Sequence, residues 1–393
     1  MIALTASRLY TPLEVIEQPV ILLDGPRIVE VSSRTTRPLP EGVQPIDFGD
    51  SIFAPGYVDI HIHGGAGHDV MSTDPAALPA VEQLLAKHGV TSYLPTTVTA
   101  SGDHILSALD RLATAIETAE RDSGSRGRRA QPVGIHLEGP FISFERRGVH
   151  PPQDLLPPTL PVFERFWQAS RGRIRMLTIA PELEGARAVI AEAVRCGVCV
   201  SLGHSDSKLH DTRAAIEAGA RHATHAFNAM RPLGHREPGI VAAVLTDPRL
   251  SADIIADGIH LDPTIVELFL KMKGPEAAVL ITDATAATGM PDGRYRLGWF
   301  EVEVKNGMCT AEGALAGSVL TMDRAVRNVT RFAGWSLQQA VRLATLNPSR
   351  VVGLSNRGKL EAGAEADILV LSSSGEVRTT FVRGVRMEAA AGN

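Results

Sequence analysis

The chain has 393 residues, of which 44% are hydrophobic and 21% are charged, and its formal net charge is −5. This is the composition of a globular protein, long enough for one barrel-sized domain and a smaller one. The sequence has neither a basic stripe nor an apolar run of ~18 residues, which argues against a nucleic-acid or membrane partner. Three cysteines argue against a disulfide framework, and without a visible signal peptide we expect a cytoplasmic protein.

Both ends of the chain have patterns typical of short β-strands. The amino-terminal end contains short strand patterns over Val20–Leu23 and Arg27–Val31, and the carboxyl-terminal end has similar patterns. Neither end could bury a core alone, but together they could form a small β-sandwich. We therefore expect residues 1–54 and 357–393 to form a small domain and residues 55–356 to form the main one.

A Pro-Gly turn near residue 55 leads into the segment Tyr57-Val58-Asp59-Ile60-His61-Ile62-His63. Side chains alternate between the two faces of a strand, so His61 and His63 point the same way. Two imidazoles on one face can bind a single divalent metal. A chance His-x-His on an exposed strand is the alternative, and the histidines farther along the chain favour the metal site.

Eight short apolar runs, many separated by amphipathic helical stretches, follow one another between Tyr57 and about Ala284. The predicted strands are Val58–His63, Ser92–Pro95, Val133–Leu137, Arg175–Ala180, Val198–Leu202, Ala223–Ala226, Ser251–Ala256 and Ala278–Thr282, and the clearest helices are Leu78–His88, Ile105–Thr118, Ala186–Arg195 and Lys208–Ala218. Most of the strands are rich in Val, Ile and Leu, as expected when helices cover them. Strands that alternate with helices predict an α/β fold, a (β/α)8 barrel of the TIM type. A hairpin is predicted at Tyr295–Cys309, with Asn306-Gly307 as its turn.

Ionisable residues stand at the ends of six of these strands. Besides His61 and His63 on the first strand, they are Glu138, His204, His225, His260 and Asp283. Active sites of such barrels lie at the carboxyl ends of the strands. The sequence therefore predicts that these side chains converge on one mouth of the barrel.

Several motifs resemble the amidohydrolase superfamily and, within it, the family of N-acetylglucosamine-6-phosphate deacetylases. They are Pro55–Gly64, His136-Leu137-Glu138-Gly139-Pro140-Phe141, Leu202-Gly203-His204-Ser205, Thr224-His225-Ala226-Phe227-Asn228-Ala229-Met230, Arg236-Glu237-Pro238-Gly239, Ala256-Asp257-Gly258-Ile259-His260, Thr282-Asp283-Ala284 and Leu315-Ala316-Gly317-Ser318. The Leu-Glu-Gly-Pro and His-x-x-Asn-Ala-Met elements are specific to the deacetylases. The resemblance implies hydrolysis of N-acetylglucosamine 6-phosphate to glucosamine 6-phosphate and acetate, in amino-sugar catabolism and recycling.

The resemblance also implies a metal centre with one or two divalent ions. His61, His63 and Glu138 would hold one ion, and Glu138, His204 and His225 would hold the other, so that Glu138 bridges. Many members of the superfamily bridge with a modified lysine on the fourth strand, and no lysine lies near that strand here. Zinc is the first expectation, but the nitrogen and oxygen ligands suit iron, manganese and cobalt as well.

Hydrolysis of an amide needs an activated water and a group that carries a proton. A metal lowers the pKa of its bound water and polarises the carbonyl group. Asp283 at the barrel mouth could take the proton of that water and return it to the departing nitrogen as general acid/base. Asp283 could also be a strand-end cap or a further metal ligand. His150 resembles the family histidine that contacts the substrate, with an ordinary loop histidine as the alternative, and His136 is expected to support Glu138.

Phosphate binding needs cations or backbone N–H groups. The matching motifs imply that Arg236 and His260 contact the phosphate, together with Asn228 and the main-chain N–H of Ala229. In the family the counterpart of Arg236 reaches the site of a neighbouring subunit, so a homodimer is implied. An ordinary salt bridge is the alternative for Arg236.

The sequence does not exclude two other substrates. The galactosamine epimer differs by one hydroxyl, and no residue in the sequence identifies which epimer fits. A cyclic amide, such as a hydantoin, would use the metal ligands and Asp283 but would have no use for Arg236 and His260. A scaffold that has lost its metal is disfavoured because all the strand-end histidines are present.

Overall fold

The computed structural model describes residues 1–37, 39, 42–122 and 128–387. Within these residues, no helix is both long enough and apolar enough to span a membrane. The chain begins with seven strands: β1 (Ile2–Thr5), β2 (Arg8–Tyr10), β3 (Val15–Glu17), β4 (Pro19–Asp24), β5 (Arg27–Ser33), β6 (Pro45–Asp47) and β7 (Ile52–Pro55). The predicted strands Val20–Leu23 and Arg27–Val31 lie within β4 and β5.

The central part of the chain alternates strands and helices. In chain order its elements are β8 (Tyr57–Ile62), β9 (Gly64–Gly65), β10 (His68–Asp69), α1 (Ala77–Lys87), β11 (Val90–Thr97), α2 (Gly102–Arg121), β12 (Gln131–Pro132), β13 (Ile135–Glu138), a 3₁₀ helix (Pro152–Asp154), α3 (Leu160–Ala169), β14 (Ile174–Ile179), α4 (Ala186–Arg195), β15 (Cys199–Leu202), α5 (Leu209–Glu217), β16 (His222–Ala223), α6 (Gly239–Thr246), β17 (Ala252–Ile255), α7 (Pro263–Ala277) and β18 (Ala278–Ile281). Each of the eight predicted parallel strands overlaps one of these strands, and the four predicted helices overlap α1, α2, α4 and α5.

Six of the strands form a continuous parallel sheet in the spatial order β8-β11-β13-β14-β15-β16, with the two-residue β12 also paired to β11. A second parallel pair consists of β17 and β18. Every residue of β8, β11, β13 and β18 is buried, as expected where helices cover a parallel sheet. The sheet curls, so the carboxyl ends of its strands face a common space.

Isolated contacts cross both gaps between the six-stranded sheet and the β17–β18 pair. At one gap the N–H groups of Ala223 and Ala226 donate to the carbonyl oxygens of Ser251 and Asp253, at 3.0 and 2.9 Å. At the other, the N–H of Asp283 donates to the carbonyl oxygen of His61 at 2.9 Å, and a parallel bridge joins the ends of β8 and β18. The observed arrangement is thus a curled parallel half-barrel with a parallel pair beside it, and full closure stays a prediction.

The rest of the chain adds an antiparallel sheet, three helices and three final strands. They are β19 (Gly293–Leu297), β20 (Phe300–Lys305), β21 (Met308–Ala311), β22 (Ala314–Leu315), α8 (Met322–Ala333), α9 (Leu337–Leu343), α10 (Leu346–Val351), β23 (Ile368–Leu371), β24 (Val377–Val382) and β25 (Val385–Arg386). The predicted hairpin with its Asn306-Gly307 turn joins β20 to β21. The structure extends it to a four-stranded sheet in the order β19-β20-β21-β22.

Both ends of the chain meet in a separate pair of sheets. One has the order β5-β4-β1-β6, and the other has the order β25-β24-β23-β7-β2-β3. Leu4 and Ile21 of the first sheet share a buried apolar cluster with Phe53, Ile368 and Phe381 of the second. Residues 388–393, which the predicted small domain includes, lie outside the described residues.

Candidate active site

Two histidines project from the end of the first parallel strand. His61 lies on β8 and His63 directly follows it, both fully buried. The Nδ1–H of His63 donates to the carbonyl oxygen of Thr96 on the neighbouring strand, at 3.0 Å. This contact fixes the ring with Nε2 of His63 turned toward Nε2 of His61, 3.2 Å away.

Glu138, the last residue of β13, stands between two pairs of histidines. Its Oε2 lies 3.2 Å from Nε2 of His61 and 3.2 Å from Nε2 of His63. Its Oε1 lies 3.2 Å from Nε2 of His204 and 3.1 Å from Nε2 of His225. We call His61, His63 and Glu138 the first metal group, and Glu138, His204 and His225 the second metal group. In each group the ligand atoms all lie within 4.8 Å of one another.

Three of the strand-end residues have left-handed backbone conformations. The φ angles are 46° at His204, 31° at His225 and 50° at Asp283. For a residue with a Cβ atom this conformation is costly, and it persists where the surroundings impose it, often at functional sites. Here it ends each strand sharply and turns the side chain toward the common space. The Nδ1–H of His204 then donates to the carbonyl oxygen of Arg146 at 2.9 Å.

Asp283 lies beside the first metal group. Its Oδ1 is 3.1 Å from Nε2 of His63 and 3.6 Å from Nε2 of His61. Burial alone would raise the pKa of Asp283, but the hydrogen bond with His63 and the charge of His61 lower it to about 2. The carboxyl group is therefore ionised at neutral pH.

The donor set fits divalent metal ions of the zinc, iron, manganese and cobalt type. It consists of four imidazole nitrogens and carboxylate oxygens, all buried. Burial lowers the pKa of His225, but the hydrogen bond and charge of Glu138 outweigh it and raise the value to about 9. Without a metal, the carboxylates thus hold protons on the imidazoles. The electrostatic field between the histidines therefore favours a bound cation.

A cavity of about 300 Å³ opens beside these groups, and the predicted substrate residues His150, Asn228, Ala229 and His260 line it together with Asp283. His150 is buried, and its Nδ1 accepts a hydrogen bond from the N–H of Thr99 at 3.3 Å. The ring proton is therefore on Nε2, which lies 4.0 Å from Oε2 of Glu138. Burial, with the charge of His204, lowers the pKa of His150 to about 3, so the ring is neutral.

The remaining predicted substrate contacts are His260, Ala229 and Arg236. The Nδ1–H of His260 donates to Oδ2 of Asp257 at 2.7 Å, which fixes the ring. Ala229 has a φ of 49°, and among the described residues its N–H has no hydrogen-bond partner. Arg236 lies exposed on the loop between β16 and α6 and does not line the cavity of its own chain.

Sequence reasoning missed two fully buried aspartates, Asp59 and Asp253. Oδ1 of Asp59 accepts from the N–H of His61 at 3.3 Å, and its Oδ2 accepts from the hydroxyl of Thr282 at 2.5 Å. Burial raises the pKa of Asp59 to about 6. Asp253 accepts from the N–H of His225. A signal existed in both cases, because a charged residue inside an otherwise apolar strand needs a buried partner.

His136 is also fully buried, and it supports the site from one strand away. Its Nδ1–H donates to the carbonyl oxygen of Ile60 at 3.0 Å, and its Nε2 lies 2.7 Å from the hydroxyl of Thr178. The ring packs against that of His61, with centroids 4.7 Å apart. It contacts the first metal group without adding a ligand atom to it.

Comparisons with known proteins identify the family of the chain. Residues 52–387 match the amidohydrolase family. The chain is 39% identical over 360 residues to the N-acetylgalactosamine-6-phosphate deacetylase of Escherichia coli O157:H7, covering 91% of this chain and 93% of the relative. It is 35% identical over 379 residues to the N-acetylglucosamine-6-phosphate deacetylase of Bacillus subtilis (strain 168), covering 96% and 94%.

A solved structure is similar over nearly the whole chain. It is a mutant N-acetyl-D-glucosamine-6-phosphate deacetylase from Mycobacterium smegmatis in complex with N-acetyl-D-glucosamine-6-phosphate, 36% identical, with a TM-score of 0.91 over 98% of both chains. Identity of this order over this length goes beyond a shared fold. The chain belongs to the amidohydrolase family and, within it, to the group of N-acetylglucosamine-6-phosphate and N-acetylgalactosamine-6-phosphate deacetylases.

Proposed function

We propose that this protein hydrolyses N-acetyl-D-glucosamine 6-phosphate to D-glucosamine 6-phosphate and acetate. One observation carries the proposal: Glu138 divides its two oxygens between two histidine pairs, with Asp283 and a sugar-sized cavity beside them. This arrangement suits amide hydrolysis, which needs an activated water, a polarised carbonyl group and a proton carrier. Membership of the deacetylase group supports the choice of substrate.

The first and second metal groups would hold one or two divalent ions, with zinc as the first expectation. A bound ion would lower the pKa of water and polarise the acetamide carbonyl. The hydrogen bonds from Nδ1 of His63 and His204 to backbone carbonyls support this role, because they fix the rings with Nε2 toward the site.

Asp283 is the proton carrier in this proposal. Its low pKa keeps the carboxylate ready to accept a proton from the attacking water. It then returns the proton to the nitrogen as the bond between that nitrogen and the acetyl carbon breaks. His150 keeps its ring proton on Nε2 and can donate it in a hydrogen bond to the carbonyl oxygen, where negative charge develops.

The phosphate lies, in this proposal, at the far side of the cavity. His260 and Asn228 offer side-chain donors there, and Ala229 offers its N–H. Arg236 is exposed and does not line the cavity of its own chain, so we assign it to the phosphate of a neighbouring subunit in a homodimer. The rest of the predicted architecture is part of the same proposal: a closed eight-stranded barrel over residues 55–356 and a β-sandwich from 1–54 and 357–393. The isolated hydrogen bonds across both gaps and the shared apolar cluster support it.

The direct test is acetate release by purified, metal-loaded protein supplied with N-acetylglucosamine 6-phosphate. We expect rapid release from this sugar and little from unphosphorylated N-acetylglucosamine. Asp283→Asn should lower the rate by about 10²–10⁴-fold, the usual contribution of a general acid/base, while the metal content stays unchanged. Absence of acetate at every metal loading would contradict the proposed substrate.

The galactosamine epimer is the second candidate, favoured by the 39% identity to an N-acetylgalactosamine-6-phosphate deacetylase. The same assay with N-acetylgalactosamine 6-phosphate separates the two, since the higher kcat/KM identifies the preferred epimer. A cyclic amide, assayed alongside, tests the remaining alternative.

A further inference from the structure

Asp253 lies under the second metal group, in a position where a carboxylate is costly. It is completely buried on β17, whose other residues, Ala252, Ile254 and Ile255, are apolar and equally buried. A buried carboxylate persists where several donors satisfy it. The donors to Asp253 therefore indicate what this residue does.

The first donor is the main chain of a proposed metal ligand. Oδ1 of Asp253 accepts a short hydrogen bond from the N–H of His225. The next N–H, that of Ala226, donates to the carbonyl oxygen of Asp253 at 2.9 Å. Two consecutive peptide groups are thus held by one residue, at the gap where no regular ladder joins β16 to β17. This is the point where His225 adopts its left-handed conformation, with a φ of 31°.

The second donor is His222, which fixes the carboxylate from the other side. Its Nε2–H donates to Oδ2 of Asp253 at 2.9 Å, and its Nδ1 lies 2.6 Å from the hydroxyl oxygen of Ser251. With the ring proton on Nε2, Nδ1 of the neutral ring accepts from the Ser251 hydroxyl, whose oxygen also lies 3.1 Å from the carbonyl oxygen of Arg221. Both ends of the imidazole are held, and the ring cannot turn without losing a buried hydrogen bond.

We infer that Asp253 is a positioning residue for the second metal group, with His222 orienting its carboxylate. Asp253 holds the His225 backbone in the strained turn that directs the imidazole toward Glu138 and His204. The inference rests on the proposed function, because the second metal group serves the proposed reaction. In the part of the chain that the structure describes, no hydrogen bond joins Asp253 to His61 or His63, so removing this carboxylate should weaken the second metal group and spare the first.

The test compares Asp253→Ala with Asp253→Asn by titrating metal-free protein with Co²⁺ and following its visible absorption. Alanine removes the oxygen that accepts from the backbone N–H of His225, whereas asparagine keeps one side-chain oxygen that can accept this hydrogen bond. His225→Ala identifies the spectral step that belongs to the second metal group. We expect Asp253→Ala to weaken this step by about 10–100-fold, the usual effect of losing an outer partner of a ligand, and Asp253→Asn to weaken it far less. Binding to the first metal group should stay unchanged in both.

A matched control uses another buried aspartate. Asp367→Ala removes a carboxylate that binds Arg357 at 2.6 Å next to β23, so it should lower the melting temperature without altering the Co²⁺ titration. Wild-type Co²⁺ binding by Asp253→Ala, or an equal loss in Asp367→Ala, would overturn the inference. If Asp253→Ala does not fold, His222→Leu and His222→Gln replace it, with the larger loss of affinity expected for leucine; equal affinities would count against the inference. A wild-type protein that binds no Co²⁺ would contradict the proposed function instead.

Discussion

Glu138 supplies one carboxylate oxygen to each metal group, and no other described residue belongs to both groups. The fourth parallel strand, β14, has Thr178 at the level where a bridging residue would stand, and its hydroxyl is engaged by His136 and Thr224. Both groups therefore depend on a single residue with two equivalent oxygens. A glutamine at this position would keep one oxygen and present an N–H₂ group to the other pair of histidines.

Protons and metal ions compete for the same nitrogens, which gives a pH dependence. The pKa of His225 in the folded, metal-free protein is about 9, against 6.5 for a free histidine. A raised pKa contributes stability that is fully present below pH 6.5 and is lost as the pH rises through 9. We expect the melting temperature of metal-free protein to fall between pH 6.5 and 9.

The stabilisation by added Zn²⁺ should depend on pH in the opposite direction, because metal binding displaces the protons from the imidazole nitrogens. The increase in melting temperature on adding Zn²⁺ should therefore grow from pH 6.5 to 9, which calorimetry with and without metal measures. Glu138→Gln removes the negative charge that raises the pKa of His225, so its metal-free melting curve should depend less on pH. A zinc effect that is constant or shrinks over this range would contradict the prediction.

At the scale of elements, the four-stranded sheet β19–β22 completes the wall of the cavity. Leu297 at the end of β19 and Leu315 at the end of β22 both line it. The turn between β19 and β20 is attached to β10, since the N–H of Gly298 donates to Oδ2 of Asp69 at 2.6 Å. Next to it Trp299 stacks on His104 of α2, with ring centroids 4.1 Å apart.

Trp299→Ala should loosen this wall without affecting the metal groups. An aromatic pair contributes ~0.5–1.5 kcal/mol, so we expect KM to rise roughly two- to tenfold with little change in kcat. Steady-state kinetics with metal analysis measures both quantities. Met308→Ala, on β21 of the same sheet but away from the cavity lining, is the control. A fall in kcat with unchanged KM would show that the sheet does not act through binding.

The elements that could be predicted are those in which the local pattern and the tertiary environment agree. Apolar runs followed by His204 or Asp283 predict strands ending at a site, and Asn306-Gly307 predicts its hairpin turn. The predicted strand Ala223–Ala226 was too long, because His225 leaves the extended conformation to direct its ring inward. The partnership of Asp253 with His222 depends on a contact between strands, which one sequence cannot specify.

At the scale of the whole molecule, the rim of the cavity has the features of an interface. Leu233 and Arg236 are both exposed on the loop after β16, and Phe144 and Ile259 are exposed on the loops after β13 and β17. These loops all follow the carboxyl ends of parallel strands, and they also carry the cavity-lining residues Glu145, Asn228 and His260. Exposed apolar groups around a polar centre are typical of protein interfaces. They support the proposed homodimer, in which Arg236 serves the partner's phosphate.

Subunit complementation tests this arrangement. Arg236→Ala and Asp283→Asn should each lower activity strongly when expressed alone. In a mixed dimer, the Asp283→Asn subunit donates its intact Arg236 to the site that retains Asp283. Coexpression should therefore restore roughly a quarter of wild-type activity, given random pairing in a two-fold dimer.

Two measurements complete that test. Differently tagged subunits allow the mixed dimer to be purified, and light scattering gives its mass. A mixed dimer without recovered activity would contradict the role of Arg236 between subunits, and a monomeric wild type would contradict the dimer itself.

The pairing of β7 with β23 has a consequence for how the chain is made. β7 leads directly into β8, the strand that bears His61, yet its neighbour β23 follows in the chain only after α10. During synthesis β7 has an open edge on that side, which is a hazard for aggregation. A nascent chain halted before β23 would keep this edge unpaired beside the strand that bears His61, so the second sheet can be completed only once β23 has been synthesised.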